Sequence, residues 1–191
     1  MTDLPLFPLN TVLFPGGRLP LRIFERRYMD MASACLREDA PFGVCLIREG
    51  TEVGEAAIPE PVGCLAHIVE WDMQQLGVLH VIVRGGRRFR ITERRAQADQ
   101  LLRATVELLP EEDDAPVPDS LNACAKLLER AIAQAPELVP EPRKLDSCVW
   151  VGARIAEALP LPLAAKQQLM EMSDGLARLE EVHRLLQGAA A

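Results

Sequence analysis

Aromatic residues are scarce in this chain: five Phe, two Trp and one Tyr amount to 4% of 191 residues. Stacking platforms for nucleic-acid bases, which need aromatics interleaved with basic side chains, are therefore hard to assemble. Positive charge is short as well. Lys and Arg number 21 against 28 Asp and Glu, a net charge of −7, the opposite of the balance carried by general nucleic-acid binders. The longest uncharged run, Leu4 to Gly17, is interrupted by Pro5, Pro8 and Pro15 and falls short of the roughly 20 apolar residues of a membrane span. Asp3 and the lack of a basic leading segment argue against a secretory signal. Cysteine pairs are missing too: Cys35, Cys45, Cys64, Cys124 and Cys148 are odd in number and form no CxxC. A disulfide framework is not expected, buried thiols in a reducing cytoplasm are. Cys64 and His67 have a metal-type spacing, but no second pair completes four ligands. No metal and no cofactor is expected.

Catalytic signatures are equally thin. The chain holds no GxxxxGK[ST] loop, no GxSxG elbow and no HExxH helix, and its four serines fall on predicted helices or caps. No catalytic residue is assigned, and the chain is expected not to be an enzyme.

What the chain does have is two halves of different composition. Residues 1–109 contain 20 Val, Ile and Thr, every Phe and nine of the twelve Gly; residues 110–191 contain only 7 Val, Ile and Thr but 15 of the 24 Ala. Branched and aromatic residues suit a pleated surface, whereas Ala is the best helix former. Between them Pro110–Pro118 combines three prolines with four consecutive acids, a poor strand and a poor helix. The expectation is a mostly β domain over 1–109, an acidic linker over 110–118 and a helical unit over 119–191.

The opening Leu4–Leu9 is extended by its prolines, and Pro15-Gly16-Gly17 is a turn. Leu19, Leu21 and Ile23 alternate with polar or proline positions, the period of a half-buried strand. Tyr28, Met31, Ala32 and Cys35 then fall at helical spacing, predicting one early helix ending near Asp39. Further strands are predicted at Phe42–Ile47, Val62–Trp71, Val78–Arg84, Phe89–Thr92 and Leu102–Leu108, with Arg84-Gly85-Gly86-Arg87 as a hairpin turn. Together these suggest a compact, twisted, partly closed sheet. Downstream, Asp119 or Ser120 is expected to cap a helix carrying Leu121, Ala125, Leu128 and Ile132. A second helix carries Leu145, Val149, Gly152, Ile155 and Leu159. A third opens at Pro162, and a fourth, capped by Ser173 or Asp174, carries Leu176, Leu179, Val182 and Leu186. This predicts a four-helix bundle.

The stretch Leu4-Pro-Leu-Phe-Pro-Leu-Asn-Thr-Val-Leu-Phe-Pro-Gly-Gly-Arg-Leu-Pro-Leu-Arg-Ile-Phe-Glu-Arg-Arg-Tyr28 closely resembles the start of the N-terminal substrate-binding domain of Lon proteases. Val62–Glu70, Val81–Ile91, Ala158–Leu163 and Lys166–Glu171 with Arg178-Leu179 agree with that family, so the resemblance covers roughly residues 4–186. It implies an α+β fold: a PUA-like, mostly antiparallel, partly closed β domain with one early helix, followed by the helical bundle. No segment resembles the family's ATPase or Ser-Lys peptidase, so a stand-alone Lon domain is expected. It would be a non-catalytic protein-binding module, an adaptor in protein quality control, whose partners are unfolded or extended polypeptide segments and, beyond them, a protease or chaperone.

Two surfaces are candidates for such binding. Phe14, Pro15, Gly16, Phe24, Glu25, Arg27 and Tyr28 place aromatics and charges at a turn and a strand-to-helix junction, where an extended chain would dock; alternatively Phe14 and Phe24 anchor a core, Tyr28 packs under the helix, and Glu25 and Arg27 form a local salt bridge. Arg84, Arg88, Arg90 and Arg94 lie in a run of six arginines within twelve residues, either a solvated face or an anion site that takes RNA. A third reading places a small-molecule or hydrolytic site in the cleft between the halves, with Thr11, Glu25, His67 and Glu70 as its first residues.

Overall fold

The structure, a computed structural model, describes residues 1, 3–75, 77–136, 139 and 141–189. The chain divides into two compact units, Met1–Leu109 and Pro110–Ala191; the last two residues of the expected helical unit lie outside the described residues.

Seven strands and one helix build the first unit: β1 (Leu4–Leu9), β2 (Arg18–Ile23), α1 (Arg26–Glu38), β3 (Phe42–Glu49), β4 (Ile58–Pro59), β5 (Val62–Gln75), β6 (Val78–Ala96) and β7 (Leu102–Leu108). β1 pairs with β7, β7 with β6, β6 with β5 and β5 with β3, all antiparallel, and a parallel pairing of β3 with β1 closes the ring. β2 is added to β6, and β4 to β3. Closure removes most of the unpaired edges that an open sheet would leave; among the described residues the two appended strands, the far half of β5 and the end of β6 keep a side with no strand.

Strand alternation sorts the apolar side chains into two cores. Leu4, Leu6, Cys45, Leu65, Phe89, Leu102, Ala104 and Val106, drawn from all five strands of the ring, form one cluster. The opposite faces supply Phe7, Leu9, Phe42, Val44, Cys64 and Ala66, which pack with Tyr28, Met31, Ala32 and Cys35 of α1. The helix starts after Glu25 and ends on Asp39, which takes a left-handed conformation (φ 49°) while its N–H donates to the Cys35 carbonyl, an αL cap.

Arg84–Arg87 is not a hairpin turn. Val78–Ala96 is one continuous strand, and the turn lies before it, around Gly77 (φ 82°). The two glycines serve close approach instead. A Cβ on Gly85 would sit 2.1 Å from the Phe14 carbonyl oxygen, because the Pro15–Gly17 turn is bonded to this point: Gly16 N–H donates to the Gly85 carbonyl at 2.8 Å and Gly85 N–H to Gly17 at 2.9 Å.

The second unit holds α2 (Asn122–Gln134), α3 (Cys148–Ala158), α4 (Leu163–Glu171) and α5 (Gly175–Ala189). Pro110–Pro118 belongs to this unit rather than hanging free: Asp113 N–H donates to the Ser173 carbonyl and Val117 N–H to that of Asp146, both at 2.9 Å. Asp119 and Ser120 sit in a 3₁₀ turn ahead of α2 and do not cap it. Caps occur elsewhere, where Ser147 Oγ accepts from Trp150 N–H at 3.0 Å and Asp174 Oδ1 from Ala177 N–H at 3.0 Å.

Candidate functional site

β2 is where the first unit leaves backbone available. Its register runs Arg18 to Ile23 against Arg84 to Leu79 of β6, and among the described residues it pairs with no other strand. Proline lacks an N–H, so Pro20 must turn that position away from the β6 ladder. The outer edge of β2 therefore carries the Pro20 carbonyl flanked by the full backbone groups of Arg18 and Arg22.

Along this edge lies a cavity of about 300 Å³, lined by the run Leu19–Glu25 together with Phe7, Thr11, Tyr28, Glu52 and Val53. Its apolar side chains fall into two sets. Phe7 and Tyr28 are buried, stacked with ring centroids 4.0 Å apart and planes 19° apart. Phe24 and Val53 stand out, 55% and 54% exposed. The groove thus has a buried apolar bed and exposed apolar groups at its margin.

The charges beside it are fixed. Arg27, only 4% exposed at its side chain, holds Glu25 at 3.0 Å, donates to the Gln100 carbonyl at 3.0 Å and lies 4.6 Å over the Tyr28 ring. Burial pushes the Tyr28 hydroxyl above its usual pKa, with Arg27 pulling the other way. Glu52 accepts from Asn10 N–H at 2.5 Å, which ties the loop carrying Val53 to the end of β1.

The sequence-predicted surface thus separates into two layers. Phe14 is wholly buried and lines no part of the groove, whereas Tyr28, 5% exposed, contributes only to the groove's buried bed. Arg27 is a buried anchor for Glu25. Pro15 and Gly16 form the turn docked on Gly85. Phe24 and Glu25 alone reach the groove from the outside. Of the four residues of the hydrolytic reading, Thr11 and Glu25 line the groove, while Glu70 is bound by Arg18 at 2.5 Å and His67 lies in register with Arg84. Val53 and Glu52 were not legible: the loop Gly50–Ala57 has no apolar period to mark it.

Nor do the arginines make one face. Arg88 is buried at 3% exposure, so it belongs to no solvated face. Arg88 does face away from Phe89, but it stands in register with Cys64, a member of the core that packs with α1, so this face of the sheet is covered as well. Arg84 stands beside Arg18 and His67, Arg90 lies opposite Glu107, and Arg94 is exposed on the far half of β6. All five cysteines are buried and outside any disulfide, and among the described residues no three His, Cys, Asp or Glu gather as metal ligands. No described helix is long and apolar enough to cross a membrane.

A closed barrel with an attached helix, an open strand edge beside an apolar groove and a separate helical unit define a mostly antiparallel α+β module. Comparison with known proteins gives its family. The profile of the ATP-dependent protease La (LON) substrate-binding domain matches residues 3–188, and the chain belongs to that family. A crystal structure of a Lon N-terminal domain protein from Xanthomonas campestris is similar at 35% identity and TM-score 0.80, covering 96% of this chain and 98% of that one. The N-terminal domain of a Lon protease from the Mycobacterium avium complex shares the fold at TM-score 0.63 and 21% identity, over 94% of this chain and 95% of that one. The Lon protease of Anaeromyxobacter dehalogenans is 28% identical over 96% of this chain but only 23% of its own length. Protein cereblon of Danio rerio is 29% identical over 71% of this chain and 31% of its own. The chain spans about a quarter of the length of the Lon proteases it matches.

Proposed function

We propose that this chain is a non-catalytic recognition module that takes unfolded or extended polypeptide segments into the groove along β2 and acts as an adaptor in cytoplasmic protein quality control, delivering them to a protease or chaperone. The observation that carries this reading is the coincidence of a free strand edge with an apolar groove rimmed by exposed Phe24 and Val53. An extended chain laid there gains backbone hydrogen bonds from Arg18, Pro20 and Arg22 and buries side chains against Phe24 and Val53. Recognition through the backbone is indifferent to sequence, as a receptor for unfolded clients requires, and family membership in the Lon substrate-binding domain points the same way. The anion reading has less behind it, since the arginines are dispersed and Arg88 is buried.

The test is fluorescence anisotropy with labelled, reduced and carboxymethylated α-lactalbumin, which stays unfolded, against its folded, disulfide-intact form. Binding should favour the unfolded protein. Phe24→Asp with Val53→Asp, both at exposed positions, should weaken it about tenfold or more without lowering the melting temperature. Equal binding by the double variant would place client recognition outside this groove.

A further inference from the structure

A second edge is open, on the far half of β5. β3 pairs with β5 only from Cys64 to Ala66. From His67 to Gln75 the strand has β6 on one side and, among the described residues, no strand on the other. Five consecutive residues here, Val69 to Met73, are exposed, so neither face of the strand nor its edge is covered by the rest of the unit.

The register sorts these side chains. Glu70 and Asp72 lie opposite Ile82 and His80, on one face, and Trp71 lies opposite Val81, on the other; the pairing shifts between Asp72 and Gln75, beside Met73. Trp71 is 62% exposed and Met73 44%, two of the largest exposed apolar side chains in the chain. The acidic face has a cross-strand order. On β2, Arg18 and Arg22 stand in register with Arg84 and His80, and Arg18 reaches across β6 to Glu70. Reading across the sheet, basic residues on β2 give way to acidic residues on β5, and the edge beyond them is open.

We propose that the β5 edge, Ile68–Gln75, is a docking site for an extended segment of another polypeptide in which apolar residues alternate with Lys or Arg. The segment adds as a further strand, placing its apolar side chains on the side of Trp71 and its basic ones beside Glu70 and Asp72. Opposite charges on neighbouring strands favour that register, and like charges oppose it. The same rule decides against a second copy of this chain: an antiparallel pair centred on Trp71 sets Glu70 of one copy against Asp72 of the other. This surface is distinct from the β2 groove, and its preference for a charge pattern separates it from the sequence-indifferent binding proposed there.

The experiment uses the full chain carrying W150F, so that Trp71 is the only indole, and four peptides of the length of Ile68–Gln75. The first alternates Val and Lys, the second alternates Val and Glu, the third has the first one's composition in two blocks, and the fourth is the first with alternate backbone nitrogens methylated. The alternating Lys peptide should shift Trp71 emission to the blue saturably and bind about tenfold more tightly than the other three. Glu70→Lys with Asp72→Lys, checked for an unchanged melt, should reverse the preference to the Glu peptide; should that variant not fold, the four-peptide comparison on the parent still decides. Indifference to the block arrangement or to N-methylation would overturn the proposal, because attraction to the net charge would then suffice. So would loss of peptide binding in Phe24→Asp, which would assign the peptide to the groove, or sedimentation of the free chain as a dimer with Trp71 emission already blue-shifted.

Discussion

Phe89 fills the inside of the strand ring only because two glycines make room for it. A Cβ on Gly43 would come within 2.6 Å of the ring's Cζ and 2.7 Å of Leu6 Cδ2, and one on Gly63 within 2.6 Å of the same Cζ. Gly85 is a different case, since the atom in the way is the Phe14 backbone oxygen at 2.1 Å. Overpacking of a filled core costs about 1–3 kcal/mol, and the two kinds of contact predict different rescue. Gly43→Ala should destabilise by that amount in urea titration, and Phe89→Leu in the same chain should return part of it, because the obstruction is a side chain. Gly85→Ala should cost at least as much, with no partial rescue from shortening Phe14, because the backbone cannot retreat without breaking the Gly16–Gly85 and Gly85–Gly17 bonds. Rescue of Gly85→Ala by Phe14→Leu would contradict this assignment.

At the scale of elements, hydrophobic period alone was enough to mark β2, α1, β7 and the stripes of α2 and α5, where one face is buried and the other wet. It failed where tertiary contact overrides a local signal. Gly85-Gly86 reads as a turn in sequence because glycine is permissive; in the structure it is the place where another loop lies against a continuous, bulged strand, a fact that no neighbouring residue encodes. Phe14 and Tyr28 show the same limit, since aromatic residues at a turn and a helix start look alike whether they face solvent or core. The groove was half legible: Phe24 and Glu25 stand within the family motif, while Val53 comes from an irregular loop. Caps were read unevenly for a related reason, because Asp119, Ser120 and Ser147 are equally good capping residues and only packing selects among them. Ser147 Oγ accepts from Trp150 N–H and donates to Asp114 Oδ2 at 2.8 Å, so Ser147→Ala should cost about 1–2 kcal/mol. Ser120→Ala, at an exposed position with no capping bond, should stay within about 0.5 kcal/mol. Paired thermal melts of the two variants would distinguish them, and equal losses would mean that Ser120 caps after all.

On the scale of the whole chain, most of the excess negative charge belongs to the second unit, with 8 basic and 14 acidic residues after residue 109, yet its interior is held by ion pairs. Arg178, with no exposed side-chain surface, is bound by Glu112, and Arg154, 5% exposed, holds Glu157 at 2.6 Å. Burial pushes the Glu157 carboxyl up to about 7, against the pull of Arg154, Lys166 and Arg178. In the unfolded chain the same group titrates near 4.5. Between those values the folded protein keeps a proton that the unfolded chain has released, so stability is greatest below about pH 4.5 with respect to this group and declines as pH rises through 7. The other displaced groups fall outside that window: the buried thiols are raised from 9, and Glu181, bonded to Arg184, is lowered from 4.5. Urea denaturation of the full chain should therefore give a lower unfolding free energy at pH 8 than at pH 5, by about 2–3 kcal/mol. Glu157→Gln carries no titrating proton at this site and should lose most of that difference while keeping the fold by circular dichroism. A wild-type protein more stable at pH 8 than at pH 5, or a variant with the same slope as wild type, would show that Glu157 is ionised across this range and that Arg154 outweighs its burial.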